Sequence, residues 1–431
     1  MNAREALTTI VAQNRAGQSR GIASWCTAHP QTLAAILRAH RDGDGPILIE
    51  ATCNQVNQDG GYTGMNPARF RDFIARLAAQ ARIDAGRIIL GGDHLGPNPW
   101  RSLPAAEAME KARVMVRAYV EAGFDKIHLD ASMACADDSN LSEMTMADRA
   151  ADLCAVAEAA RGEREPVYVV GTEVPIPGGE TGALDHLAVT RPEAALRTHA
   201  LHRAAFARRG LDAAFGRVVA LVVQPGVDMG NDQVFGFERD KAAALSAALA
   251  GLPGVFYEAH STDFQTEAAL AGLVASHFGI LKVGPALTFA FREAVFAMAG
   301  IEREMKLRAP SDIIAVVTAA MDENPVHWRG YIAPDNRQDL MKLYGLSDRI
   351  RYYWPVPAVA AALGRLTVNI DAAPVPPGLV AQFVGTLPER QDAMALSQAI
   401  VEAKVGEVVA RYRRASGSWK SEPQALARSP G

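Results

Sequence analysis

Eight apolar runs rich in β-branched residues recur along the first two-thirds of the chain, and each is about as long as a β-strand. They begin at Gly21, Ile47, Arg87, Lys126, Pro166, Arg217, Val255 and Ile280. Most are continuously apolar at the start, which is typical of strands buried on both faces of a parallel sheet. Because parallel strands need crossover connections, the runs also predict a helix between successive strands.

Alanine- and leucine-rich segments with helical periodicity lie between the runs, for example Pro67–Ala81, Ala105–Ala122 and Met146–Arg161. Eight successive strand–helix units between about residues 20 and 300 match the length of a (β/α)8 barrel. A doubly wound sheet is the alternative, but eight consecutive units favour closure. The sequence therefore predicts an α/β protein with a TIM barrel and a C-terminal helical extension.

After residue 300 the sequence has the composition of helices and contains many aromatic residues. We predict a barrel over residues 1–300 and, over residues 301–431, a helical extension that packs on it. In the extension a proline-rich connector, Asp371–Gly378, precedes a helix expected from about Pro388 to Arg413. The tail after about residue 415 is expected to be flexible.

Charge and cysteine content narrow the classes of function. The chain has 44 Lys and Arg against 48 Asp and Glu, a net charge of −4, so no basic face for nucleic acid is expected. The four cysteines have no metal-binding spacing and are expected to be free thiols. Neither a signal peptide nor a membrane span is predicted, which favours a cytoplasmic protein. The GxxxxGK[ST] and GxGxxG motifs are absent, so no nucleotide cofactor is expected.

Polar side chains end most of the predicted strands, where barrel enzymes place their sites. They are Glu50, Asn54, Gln55, Asp93, His94, His128, Asp130, Glu173, Gln224, Glu258, His260 and Lys282. Each alone is compatible with a hydrogen-bonded core residue. Burying so many carboxylates and imidazoles without a ligand would be costly, so the set predicts a functional site.

Two histidines and the residues after strands seven and eight suggest what this site binds. His94 and His260 predict a divalent metal such as zinc, with Glu173, Asp130 or His128 as possible third ligands. The alternative is that both histidines are structural. Phosphate is expected at the loops after the last two strands. The candidate substrate and phosphate residues are Asn54, Gln55, Ser261, Lys282, Gly284 and Thr288.

Several long segments carry a specific family resemblance. They include IEATCNQVNQDGGYTGM, ILGGDHLGPNPW, YVEAGFDKIHLDASM, YVVGTEVPIPGG, EAHSTDFQT and HFGILKVGPALTFAFREA. These segments resemble the Z-subunit family of class II D-tagatose-1,6-bisphosphate aldolase (GatZ/KbaZ-like) over roughly residues 20–360. The resemblance implies a barrel with a helical C-terminal part and a role in tagatose phosphate metabolism. Family members are described as non-catalytic subunits supporting a separate aldolase chain, as tagatose 6-phosphate kinases, or as 4-epimerases.

The kinase description fits least, because no ATP-phosphate loop is present. A more distant resemblance, to catalytic class II aldolases, implies roles for individual residues. Asp93-His94 matches their acid/base and metal-ligand pair, and His260 matches a histidine ligand on strand seven. Their histidine on strand six is replaced by Gln224. Glu173 is therefore our choice of third ligand.

Chemistry favours one activity over the others. The C4 hydrogen of a 2-ketose is not adjacent to the carbonyl, so C4 can be inverted by breaking and remaking the C3–C4 bond. Asp93 would take the O4 proton, and Glu50, Asp130 or Glu258 would return it to the opposite face. A divalent metal would act as the Lewis acid. We therefore predict a D-tagatose 6-phosphate 4-epimerase.

The alternative to this enzyme is a non-catalytic, stabilising Z subunit. The expected partners are a phosphorylated ketose, a catalytic aldolase subunit and further copies of the chain. The segment Arg349–Trp354 has two interpretations: it binds phosphate or caps the site, or it anchors the extension on the barrel. For its aromatic residues packing is favoured.

Overall fold

A computed structural model describes residues 2–172, 187–385 and 394–417. Eight parallel strands form a closed barrel in which every strand lies between its sequence neighbours. The strands are β1 (Ile22–Trp25), β2 (Ile47–Thr52), β3 (Ile88–Leu95), β4 (Lys126–Leu129), β5 (Val167–Val170), β6 (Val218–Val222), β7 (Phe256–Ala259) and β8 (Phe278–Val283). The register that pairs Ile22 with Ile280 closes the barrel between β1 and β8. The predicted fold class is confirmed.

The described helices precede, surround and follow the barrel. Those up to the end of the barrel are α1 (Ala3–Arg15), α2 (Pro30–Ala39), α3 (Pro67–Ala81), α4 (Ala105–Glu121), α5 (Glu143–Ala160), α6 (Pro192–Arg208), α7 (Asp212–Phe215), α8 (Arg239–Ala248), α9 (Glu267–Ala275) and α10 (Pro285–Met305). The later ones are α11 (Ile313–Glu323), α12 (Gln338–Tyr344), α13 (Pro357–Ala372), α14 (Pro377–Val384) and α15 (Leu396–Ala415). A two-residue antiparallel ladder, Asp228–Met229 with Val234–Phe235, follows β6.

The N-terminal helix α1 closes the bottom of the barrel. Its Leu7 and Val11 are buried in one cluster with apolar side chains from the strands, among them Leu48, Phe256 and Ile280. Asn2 and Glu5 form a capping box that fixes the start of this helix. The lower half of the barrel interior is therefore an apolar core.

Strand and helix ends follow local sequence signals. α3 has the predicted bounds, because Asn66 caps it and Pro67 occupies its first position. The run predicted as a strand from Ile280 continues as a strand only to Val283. Pro285 then begins α10, since proline is favoured at the first turn of a helix but cannot donate to a sheet.

The extension returns to the barrel through α15, which packs on α2, α9 and α10. The Tyr412 hydroxyl of α15 donates to the Thr262 carbonyl oxygen after β7, 2.6 Å away. Tyr353 and Trp354 are buried in the main core, as favoured for these aromatics. The predicted boundary at residue 300 falls within α10, and residues 386–393 and the tail after residue 417 lie outside the described part.

Two further expectations concern the whole chain. All four cysteines are free. Among the described residues, no helix combines the length and the apolar character needed to span a bilayer.

Candidate functional site

A cavity of about 320 Å³ opens at the carboxyl ends of the strands. Nine of the predicted site residues line it: Asn54, Gln55, Asp93, His94, His260, Ser261, Lys282, Gly284 and Thr288. Three others, Glu50, Asp130 and Glu258, are buried next to the cavity without lining it. Glu173 lies outside the described residues. The rule that barrel sites gather at the strand ends thus located the cavity.

Beneath the cavity two lysines alternate with two glutamates, and we call these four residues the lysine–glutamate layer. Lys126 Nζ lies 2.7 Å from Glu50 Oε1 and 2.8 Å from Glu258 Oε2. Lys282 Nζ lies 2.9 Å from Glu50 Oε2 and 3.8 Å from Glu258 Oε1, and it also contacts Asp93. The side chains of Lys126, Glu50 and Glu258 have no solvent exposure, so their charges are balanced within the protein.

Strand alternation positions this layer. Leu48 and Phe256 belong to the apolar cluster that α1 closes. Glu50 lies two residues after Leu48, and Glu258 lies two residues after Phe256. Since alternate residues of a strand share a face, these carboxylates also point into the barrel. The interior therefore changes from apolar to charged within one step along each strand.

Three imidazoles lie above the layer, and each is held by a carboxylate. His128 Nδ1 lies 2.9 Å from Asp93 Oδ1, and His94 Nδ1 lies 2.9 Å from Asp130 Oδ2. His260 Nε2 lies 2.9 Å from Glu258 Oε1. The ring centroids are 4.9 to 5.4 Å apart. Carboxylates in such positions select the tautomer and fix the orientation of metal-binding or proton-transferring histidines.

The backbone at the end of β3 brings His94 to Asp130. His94 has a φ of 51°, in the left-handed region, and the pairing of β3 with β4 shifts register here. A Cβ on Gly96 would lie 1.5 Å from the Asp130 carbonyl oxygen, so only glycine allows this approach. The strained turn thus places an imidazole and a carboxylate from neighbouring strands in contact.

The charges in the site shift its pKa values strongly. Burial favours the neutral form of Asp93, but His94 and Lys282 hold its pKa well below the ordinary value. Burial also opposes ionisation of Glu258, yet Lys126 and Lys282 lower its pKa well below the ordinary range. Although burial works against a charged imidazole, Asp93 and the Asp130 hydrogen bond raise the pKa of His94. Asp93 and Glu258 are therefore ionised, and His94 favours its charged form.

Four residues form a candidate metal-binding cluster, which we call the central cluster: Asp93, His128, Glu258 and His260. One ligand atom from each lies within 4.8 Å of the others. Nε2 of His128 is buried and has no hydrogen-bond partner among the described residues. Burial lowers the pKa of His260 to about 3, so this imidazole is neutral and able to bind a cation. The donor set of two imidazoles and two carboxylates suits zinc or a similar divalent ion.

This geometry bears on the predicted ligands individually. His260 is in the central cluster, and His128, one of the three options for a third ligand, joins it. His94 is not in the cluster; its Nδ1 is paired with Asp130. Its role as a ligand stays a prediction, and so does that of Glu173.

The predicted phosphate donors already have protein partners. The backbone amide of Gly284 donates to Asp263 Oδ1 over 3.0 Å. The Thr288 hydroxyl donates to Asp348, and Lys282 binds Glu50 and Asp93. Gln224, which replaces the histidine expected after β6, accepts from two amides of its own loop.

Sequence reasoning missed Lys126 and left Arg351 undecided. Lys126 lies two residues before His128 on β4, and Asp130 follows that strand two residues later. Since alternate residues of a strand share a face, the sequence could have indicated that Lys126 points the same way as these two site residues. Arg351 and Tyr352 line the cavity, although both come from the extension. No signal in the sequence indicates which part of the extension reaches the barrel mouth.

The chain is similar to known proteins along nearly its whole length. The family model "D-tagatose-1,6-bisphosphate aldolase subunit GatZ/KbaZ-like" matches residues 7–417. A D-tagatose-1,6-bisphosphate aldolase subunit GatZ from Klebsiella pneumoniae subsp. pneumoniae is 47% identical over 415 residues, which cover 94% of this chain and 97% of that protein. The protein of the same name from Salmonella newport is 46% identical over 413 residues, with the same coverage. A crystal structure of a probable tagatose 6 phosphate kinase from Sinorhizobium meliloti 1021 superposes with a TM-score of 0.83 at 46% identity, covering 92% of this chain and 100% of that one.

Proposed function

Because the chain belongs to the GatZ/KbaZ-like family of D-tagatose-1,6-bisphosphate aldolase subunits, we propose that it acts as the Z subunit of such an aldolase. The observation that carries this proposal is near-full-length identity of 46–47% to proteins with that name. In this role it binds a catalytic aldolase chain and stabilises it.

Co-purification with a catalytic D-tagatose-1,6-bisphosphate aldolase chain tests this role. We expect the two chains to elute as one complex and the aldolase activity to decay more slowly at 37 °C. The control is the catalytic chain alone at the same concentration. Separate elution together with an unchanged rate of inactivation would refute the role.

A second function is favoured by the ionised site itself. Buried charges are expensive, and a supporting subunit has no need of them. We propose that the cavity also takes a phosphorylated ketose and performs retro-aldol chemistry between C3 and C4. The reaction we favour is the 4-epimerisation of D-tagatose 6-phosphate to fructose 6-phosphate.

The residues of the site fit a divalent metal. Nε2 of His128 is a buried imidazole nitrogen without a partner in the part of the chain that the structure describes, and neutral His260 lies in the same cluster. We propose that His128 and His260, together with the carboxylates of Asp93 and Glu258, hold the ion. When bound, it supplies Lewis acidity toward the oxygens of the ketose.

The protein's own groups account for the proton transfers. His94 Nε2 lies 3.6 Å from Asp93 Oδ2, and both residues line the cavity. In the proposed step the ionised carboxylate of Asp93, with His94 beside it, takes the proton from the O4 hydroxyl, while the C3–C4 electron pair moves into the enediolate and leaves an aldehyde at C4. Closure on the other face of the aldehyde returns the proton to O4. Asp130 orients His94 throughout.

Incubation of the purified chain with D-tagatose 6-phosphate tests this chemistry. We expect fructose 6-phosphate to form with a divalent metal and not after chelation. His260→Ala should abolish the product and weaken Zn²⁺ binding in calorimetry. The matched control is His199→Ala, on α6 outside the cavity, which should change neither. No product under either condition would refute the catalytic proposal and leave the subunit role standing.

A nucleotide-dependent kinase is the function that the site supports least. The related crystal structure is named a probable tagatose 6 phosphate kinase. The present sequence lacks the glycine-rich phosphate loop and contains no Gly-Lys dipeptide. If ATP neither binds nor is consumed in the presence of tagatose 6-phosphate, this activity is excluded for the chain.

A further inference from the structure

One wall of the cavity is formed by the extension rather than by the barrel. Arg351, Tyr352 and Pro355 line it, and Tyr62 from the loop after β2 faces them. The rings of Tyr62 and Tyr352 meet edge to face with centroids 4.9 Å apart. A ligand of the barrel site therefore also touches the extension.

The hydrogen bonds of Arg351 leave part of its guanidinium available. Nη1 donates to the carbonyl oxygens of Ser347 and Asp348, and Nη2 donates to the Tyr352 hydroxyl over 3.1 Å. These three bonds use three of its five N–H groups. Nε–H and one hydrogen of Nη2 have no acceptor among the described residues.

Arg351 has no close ion pair among the described residues, and the two carboxyl groups that feel its charge, Asp348 and Asp263, have pKa values that burial raises to about 7 and about 6. Among the described residues, none of the ion pairs within 4.0 Å includes it, although Lys282 on the same cavity touches three carboxylates. The ring of Tyr352 lies 4.6 Å from the guanidinium carbon and holds its plane. A guanidinium on a cavity wall with two unused donors and no carboxylate within 4.0 Å among the described residues is arranged for an anionic ligand.

Three of the positions predicted to bind anions on this cavity, the amide end of α10, Thr288 and Lys282, already have carboxylate partners. The amides of Gly284 and Ala286 at the start of α10, where a barrel commonly binds phosphate, both donate to Asp263 Oδ1. A carboxylate thus fills the position of a phosphate oxygen. Thr288 is likewise bonded to Asp348.

We infer that Arg351, held in plane by Tyr352, binds the phosphate group of the sugar, so that the C-terminal extension supplies the preference for a phosphorylated ketose. This inference rests on the proposed ketose-phosphate site. The central cluster takes the ketose oxygens, and the phosphate reaches the opposite wall. Two parallel N–H···O bonds from one guanidinium match the spacing of two phosphate oxygens.

Calorimetric titration at pH 7.5 with inorganic phosphate, D-tagatose 6-phosphate and unphosphorylated D-tagatose tests the inference. Arg351→Met should weaken binding of both phosphorylated probes about tenfold or more and leave D-tagatose binding unchanged. Arg351→Lys, which keeps the charge but loses the paired donors, should fall between. The control is Arg337→Met, an exposed arginine of the extension that pairs with Asp232 and does not line the cavity.

The outcomes separate the two proposals. Binding of tagatose 6-phosphate that Arg351→Met does not weaken overturns the inference but leaves the ketose-phosphate site intact. Arg351-dependent binding of inorganic phosphate without any sugar phosphate binding supports the anion site and refutes the ketose-phosphate site. A wild-type protein that binds neither phosphorylated probe overturns both. If Arg351→Met does not fold by circular dichroism, Arg351→Lys decides.

Discussion

Replacing Lys126 by methionine removes a buried charge while keeping most of the side-chain volume. Lys126 Nζ lies 2.7 Å from Glu50 Oε1 and 2.8 Å from Glu258 Oε2, and none of the three side chains is exposed to solvent. In the variant, Lys282 is the remaining ammonium of the lysine–glutamate layer. It would face Glu50, Glu258 and Asp93 together.

The expected loss of unfolding free energy at pH 7.5 is about 3–5 kcal/mol, the range for removing one partner of a buried ion pair. The loss should depend on pH. Lys126 is the group that lowers the pKa of Glu258 most, so without it we expect burial to raise this pKa above that of the unfolded chain. In the folded state Glu258 then binds a proton more tightly than in the unfolded chain, so the variant regains stability as the pH falls toward 5.

Urea unfolding at pH 5.0 and pH 7.5 measures both effects. The double variant Lys126→Met with Glu258→Gln should recover part of the loss, because one unpaired charge is gone. The control is Lys111→Met, whose exposed pair with Asp59 at 3.5 Å should contribute less than about 1 kcal/mol. A Lys126→Met loss below about 1 kcal/mol that does not vary with pH would refute the reasoning.

Two further changes test other parts of the site. Gly96→Ala should destabilise the fold by about 3 kcal/mol in urea unfolding, because its Cβ would meet the Asp130 carbonyl oxygen. The control Gly45→Ala has open space around its Cβ and should be neutral. Equal losses of unfolding free energy in the two variants would contradict this. Burial raises the pKa of Asp348 to about 7, so its contribution to stability is full below about pH 4 and is lost as the pH rises through 7. Asp348→Asn removes this titration. The melting temperature of the wild type minus that of the variant should therefore decrease as the pH rises from 5 to 8. A difference that stays constant would show that Asp348 does not titrate in this range.

The barrel could be predicted because each strand carries its own signal. The run ILIEAT starts with three apolar residues and is buried from Ile47 to Ala51, and the need to bury such a run does not depend on distant parts of the chain. Helix bounds were predictable where a cap and a proline coincide, as at Asn66 and Pro67. Strand ends were less so: the residues after Val283 have strand-like composition, but Pro285 turns them into a helix.

The site could be predicted as a set of residues but not as a set of contacts. The strand-end rule placed Asp93, His94 and Lys282 on the cavity. Which carboxylate holds which imidazole depends on the register of neighbouring strands, and His94 and Asp130 are brought together by a register shift. The position of Arg351 on the cavity could be predicted least, because it depends on how the C-terminal extension folds back onto the barrel.

The two halves of the barrel interior bear on why the charged layer exists. Apolar side chains such as Leu48, Phe256 and Ile280 fill the lower half, which shows that this sequence can close the barrel without ion pairs. Replacing buried ion pairs by well-packed apolar residues is often neutral or stabilising, so stability gives no reason to keep Lys126 and Lys282. The charges of the lysine–glutamate layer are confined to the part of the interior between this apolar core and the cavity. This confinement favours a site that handles a polar ligand over a purely supporting scaffold.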